Sequence, residues 1–201
     1  MIRLISKKAG FTLIEMLVSL ALFTIVVTIV TGALLILISG NSRLQNEQSV
    51  MTNLTFALDT MTREIRTGTQ YVCTTSNSAE NAIYDVVDVG DCVNGNDGLS
   101  FREAGTSVTG GASNSRISYY YDGTNQTIMR RYADTTRQSI VSSGIVITNL
   151  DFFVTDAANF VDAASTRQPT VTVIIEAEEE GVVGGKTFRA QTTVTQRQLD
   201  I

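Results

Sequence analysis

The sequence predicts an α+β chain in which a long N-terminal helix, half transmembrane and half amphipathic, packs on an antiparallel β-sheet head. Three observations predict it. No charged residue occurs between Met16 and Ile38, an apolar stripe recurs every seven residues from Leu44 to Ile65, and β-type alternation dominates after Arg116. A length of 201 residues suits one compact domain with an appendage.

The charge-free stretch sets the first half. At ~1.5 Å per residue it extends ~35 Å as a helix, enough to cross a hydrocarbon core about 30 Å thick with modest tilt. Arg3, Lys7 and Lys8 precede it. The positive-inside rule therefore places the N-terminus in the cytoplasm and everything after Ile38 outside. The stripe of Leu44, Met51, Leu58 and Ile65, with Leu54 and Met61 between, sets the second half, and Gln45, Asn46, Asp59, Thr62 and Arg63 fall on other faces. No proline interrupts either half, so one helix from Phe11 to about Thr67 is expected, with Gly32 and Ser39-Gly40 as its weak points.

Past Gly68 the composition shifts. Residues 74–98 are rich in Asn, Asp, Ser and Gly, and are expected to form a loop with one short strand at Tyr84–Val89. Arg116–Tyr121 and Thr127–Tyr132 flank DGTNQ, which predicts a hairpin. Apolar runs suggest a strand over Ile145–Thr155. Val171, Val173, Ile175 and Ala177 alternate over Thr170–Ala177, and Phe188, Ala190, Thr192 and Val194 do so over Lys186–Gln196. One face of such a sheet needs a cover, and the helical stripe is the large apolar surface available.

Composition narrows the function. Removing the first ten residues removes Arg3, Lys7 and Lys8, so the net charge of −5 becomes −8, an acidic exterior without the basic stripe that nucleic acid requires. The chain has no histidine, the usual general base and zinc ligand, and Lys186 is its only lysine beyond Gly10. Glu176, Glu178, Glu179 and Glu180 read as a charged strand end and turn rather than catalytic carboxylates. Neither a catalytic site, a cofactor nor a metal is expected, although Asp85, Asp88, Asp91, Asn94, Asn96 and Asp97 offer oxygens that departures from the EF-hand spacing leave as a solvated polar loop or a calcium site. Tyr119, Tyr120 and Tyr121 read as the two faces of a strand. Cys73 and Cys92, both on the exterior side, form a disulfide in an oxidising compartment or else stand as two buried thiols.

One polar residue is out of place. Glu15 lies inside the apolar run, where a lone charge at mid-helix costs ~2.5–3.5 kcal/mol and is ordinarily paired. The segment KKAGFTLIEMLVSLALF that holds it closely resembles the class III signal of type IV pilins and type II secretion pseudopilins. An ordinary secretory signal has a shorter apolar core and a cleavage site on its far side, and a plain anchor leaves Glu15 unexplained.

The resemblance implies that a membrane prepilin peptidase cuts after Gly10 and methylates the new amine on Phe11. It implies that Glu15 meets the N-terminal amine of a neighbouring subunit and sets the register of a helical filament; the alternative is a carboxylate that snorkels to headgroups. The implied organisation is a leader at 1–10, a transmembrane helix at 11–38, an amphipathic helix at 39–68 continuing into the head, and an extracytoplasmic head at 69–201. Implied partners are the peptidase, other major and minor pilins or pseudopilins, an inner-membrane assembly platform, and lipid along 11–38, with location first in the inner membrane and then in a filament. Many relatives carry proline where this chain has Gly32.

MTREIRTGT, YYYDGTNQTIMRR, ITNLDFFVTD and the closing strands near TQRQ loosely resemble the J-type minor pseudopilin and its pilus counterparts. A minor pseudopilin that joins or primes a secretion filament is expected, with a minor pilin of a type IV or competence pilus as the alternative and a tethered enzyme as a remote one.

Overall fold

A computed structural model describes residues 10–75, 90–103, 116–132, 136–157, 167–181 and 185–197. One helix and nine strands make up the described secondary structure. They are α1 (Leu13–Thr67), β1 (Thr69–Thr74), β2 (Cys92–Asn96), β3 (Gly98–Arg102), β4 (Arg116–Asp122), β5 (Thr127–Tyr132), β6 (Thr136–Ser139), β7 (Ile145–Thr155), β8 (Thr170–Glu179) and β9 (Phe188–Thr195). Compactness divides the chain into Met1–Asn46 and Glu47–Ile201, and α1 contributes to both.

In the first unit α1 is exposed throughout and includes an 18-residue window apolar enough to cross a membrane, none of it buried. Its hydroxyls are satisfied within the helix. Ser19 donates to the Glu15 carbonyl at 2.7 Å, and Thr28 and Thr31 donate to the Thr24 and Val27 carbonyls at 2.8 Å. Such back-bonding lets polar side chains sit in an apolar span without orphaned groups. The helix passes unbroken through Gly32 and Gly40.

The head is built on two antiparallel sheets rather than the single one expected. Five strands run in the order β1-β3-β4-β5-β6, and four in the order β2-β7-β8-β9. The second sheet arises because the 74–98 segment is not simply a loop: β2 pairs with β7, then the chain crosses at Asp97 into β3, which pairs with β1 and β4. Gly95 makes this possible. Its φ is +78°, and a Cβ there would meet the Phe153 ring at 2.9 Å. The strand expected at Tyr84–Val89 lies outside the described residues. β6, which pairs with β5, was not legible in its polar sequence TRQS.

One core joins the helix to both sheets. Val50, Leu54, Ala57, Met61 and Ile65 form the buried stripe of α1, spaced by four, three, four and four. This corrects the heptad expectation: Leu44 and Met51 are 57% and 45% exposed, and Leu58 is only partly buried. Val50 and Ala57 replace them because the 3.6-residue turn drifts off a strict seven-residue repeat. The same core holds Leu99, Phe101, Ile117, Tyr119 and Ile128 of the first sheet, with Ile147, Phe152, Val154, Val173 and Ile175 of the second. The rings of Tyr71, Phe101 and Tyr119 follow one another with centroids 6.0 and 6.2 Å apart.

Candidate assembly and processing site

The N-terminal site is a helix start with an exposed tail. Gly10, Phe11 and Thr12 are non-helical, and α1 begins at Leu13. Thr12 is the cap. Its carbonyl accepts from the Glu15 and Met16 N–H groups at 3.1 and 3.2 Å, and its Oγ1 accepts from the Glu15 N–H at 3.3 Å. Thr12-x-x-Glu15 is thus half of a capping box, a sequence signal that points to the helix start two residues after Phe11. That signal was open in the sequence and missed.

Glu15 occupies the first turn of α1, where the helix dipole favours an anion by about 0.3–1 kcal/mol. That is smaller than the ~2.5–3.5 kcal/mol cost of a charge deep in the span. Its carboxylate is exposed and makes no hydrogen bond or ion pair with a described residue. Phe11 is 79% exposed. Both groups are therefore open to something outside the chain. Residues 1–9 lie outside the described residues.

The helix is locked to the head at its other end. Glu64 accepts from Arg130 Nε and Nη2 at 2.8–3.1 Å and from the Tyr119 hydroxyl at 2.6 Å. The fork geometry of guanidinium and carboxylate makes this a charge-assisted clamp between α1 and strands β4 and β5. Bonding to Glu64 raises the Arg130 pKa, whereas burial first and the Glu64 bond second raise that of Tyr119. Gly68 ends the helix, its N–H bonding the Glu64 and Ile65 carbonyls at 3.0 Å. The Tyr71 hydroxyl lies 2.6 Å from the carbonyls of Ile65 and Gly68, and Arg197 N–H reaches the Arg66 carbonyl at 2.8 Å. On β4, Arg116 is buried and bonds Ser100 and the Gln70 carbonyl; burial, then repulsion from Arg102, lowers it to about 10, still charged at neutral pH.

Cys73 of β1 and Cys92 of β2 are joined as a disulfide with Cα atoms 6.1 Å apart. Since β1 edges the five-stranded sheet and β2 the four-stranded one, the bond staples the two sheets together.

The groups that suggested other chemistry have structural uses. Glu176 pairs with Arg189 at 3.5 Å, Glu178 accepts from Thr187 at 2.7 Å, and Glu180 accepts from the Gly144 N–H at 3.1 Å. Asp91 accepts from the Ala157 N–H at 2.7 Å, while the Asp97 carbonyl accepts from Tyr121 at 3.0 Å. Among the described residues no group of three or more His, Cys, Asp or Glu is placed to hold a metal ion. Asp85 and Asp88 lie outside them. Tyr119 and Tyr120 are buried on opposite faces of β4.

Residues 5–31 match the family model described as the prokaryotic N-terminal methylation motif, a type IV pilin-like signal. No curated protein and no solved structure matches the chain. The motif implies processing by a prepilin peptidase and assembly with other pilin-type subunits. The match, one long helix and antiparallel sheets together support a type IV pilin-like subunit.

Proposed function

We propose that the chain is a minor pseudopilin, cut after Gly10 and methylated on Phe11, that enters or primes an inner-membrane-anchored filament for type II secretion. The observation that carries the proposal is the coincidence of the methylation motif with an exposed Gly10-Phe11 junction just ahead of a capped apolar helix. In this reading Glu15 supplies the charge partner for a neighbour's Phe11 amine, so that two costly groups compensate each other inside the bundle. The head remains outside the cytoplasm, where the Cys73–Cys92 bond persists. No catalytic role is assigned. A minor pilin of a type IV or competence pilus is the alternative, and a secretin with secreted hydrolases among neighbouring genes, as opposed to a retraction ATPase, separates the two.

The test is intact mass and N-terminal peptide mapping of protein from cells with active peptidase. The expected product starts at methylated Phe11, and Gly10→Val blocks its formation because a β-branched residue crowds the scissile bond. A mature chain that retains the first ten residues would falsify the reading.

A further inference from the structure

Asn94-Gly95, in the polar stretch whose oxygens raised the question of calcium, is the only asparagine-glycine pair in the sequence. Glycine cannot be exchanged at position 95. Its φ lies in the left-handed region, and a Cβ there would strike the Phe153 ring. The crossing from the second sheet to the first therefore fixes a residue without a side chain directly after an asparagine.

Two further features are independent of that glycine. β2 and β7 are in register at Cys92↔Val154 and at Asn96↔Phe152 with a shift between, so Asn94 and Gly95 fall in the irregular part of the ladder. Asn94 is exposed, and its carboxamide makes no hydrogen bond with a described residue. Among the described residues, nothing holds this side chain away from the backbone nitrogen that follows it.

We propose that Asn94 is a site of spontaneous deamidation in the folded head. The Gly95 amide nitrogen gives its proton to solvent base and attacks the side-chain carbonyl carbon of Asn94. The new C–N bond closes a cyclic imide, and the side-chain nitrogen takes up a proton and leaves as ammonia. Water then opens the imide. Attack at the side-chain carbonyl restores the ordinary peptide bond with aspartate at 94, whereas attack at the backbone carbonyl leaves the main chain running through the side chain as isoaspartate. Water is the only co-reactant, and nothing is oxidised or reduced. Both products add a negative charge, but isoaspartate also adds one atom to the main chain. There is no slack for it: β2 is an edge strand, Gly95 packs on Phe153, and Cys92 carries the bond to β1. Conversion therefore loosens β2 from β7 and weakens the join between the sheets.

The experiment holds the purified full chain in detergent micelles at neutral and mildly alkaline pH, folded and in urea, and samples it over time. Reduced peptides are mapped by mass spectrometry, and labelling with an isoaspartyl methyltransferase separates isoaspartate from aspartate. In the folded chain the Asn94 amide should be lost ahead of every other asparagine, faster as pH rises, and at a rate close to that in urea. The urea midpoint should fall in step with isoaspartate. Asn94→Gln, whose longer side chain closes a ring far more slowly, should keep its midpoint over the same incubation. Asn94→Asp carries the charge without the extra atom and should start near the wild-type midpoint. An amide that persists in the folded chain while it is lost in urea would overturn the proposal, as would earlier loss at other asparagines. A midpoint that stays put as isoaspartate accumulates, or fresh Asn94→Asp as weak as aged wild type, would overturn the effect assigned to the added main-chain atom.

Discussion

Replacing Cys73 and Cys92 with serine should destabilise the head by about 3 kcal/mol. The two residues are 19 apart in sequence, and the chain-entropy model gives that figure for closing a loop of this length. The structure adds a reason to expect the full effect: the bond joins an edge strand of each sheet, and β2 is anchored to β7 by only two register pairs with a shift between them. Urea unfolding of the full chain in micelles measures it. The chain has no tryptophan but six tyrosines, so near-ultraviolet dichroism of the buried Tyr71 and Tyr119 reports loss of the core. With a slope of about 1–3 kcal/mol per molar urea, the midpoint should fall by ~1–3 M. Non-reducing peptide mapping should find the linked pair in wild type. An unchanged midpoint, or two freely alkylated thiols in protein made in an oxidising compartment, would show that the bond does not hold the head together.

Two further predictions concern the join between helix and sheet. Tyr71 and Tyr119 have pKa values raised by burial, so the folded state keeps protons that the unfolded state releases above about pH 10. Stability is then fully present below pH 10 and falls as pH rises past it, by about 1.4 kcal/mol per pH unit for each tyrosine; Tyr119→Phe should flatten the slope by one such share, and an unaltered slope counts against it. Gly68→Ala should cost roughly 1–3 kcal/mol because its Cβ would run into the Phe101 ring, itself fixed between Tyr71 and Tyr119; a midpoint equal to wild type would show that the ring can yield.

Legibility in the sequence followed burial geometry. β8 was readable because Val171, Val173, Ile175 and Ala177 alternate against a single core face. β7 was found by its apolar content, yet its phase was obscured: a register shift between Ile147 and Asn149 puts Ile145 and Ile147 in one alternation, and Leu150, Phe152 and Val154 in the other. The division into two sheets was hidden because β2, with the sequence CVNGN, holds its place through a bulge, a glycine at positive φ and the Cys92 bond rather than through apolar alternation. The helical stripe was mis-phased because Leu44 and Met51 imitate a heptad, whereas Val50 and Ala57 occupy the buried positions. At the N-terminal site the motif was open to reading, since each residue acts within five positions of the next. The Glu64–Arg130–Tyr119 clamp was not, because its members are 55 and 66 residues apart and meet only in the fold.

Subunit crosslinking decides whether Glu15 joins one subunit to the next. A chain with cysteine at Met16, paired with a neighbouring subunit that carries a cysteine in its own first helical turn, is compared with the same pair after Glu15→Val, both in cells with active peptidase. The valine variant should insert, lose its leader after Gly10 and fold its head, since removing a polar group from the span only eases insertion. Its crosslinks to neighbouring pilin-type subunits should fall sharply, because the neighbour's Phe11 amine then has no partner in the bundle. Crosslinking at the wild-type yield, with processing intact, would show that Glu15 does not join neighbouring subunits.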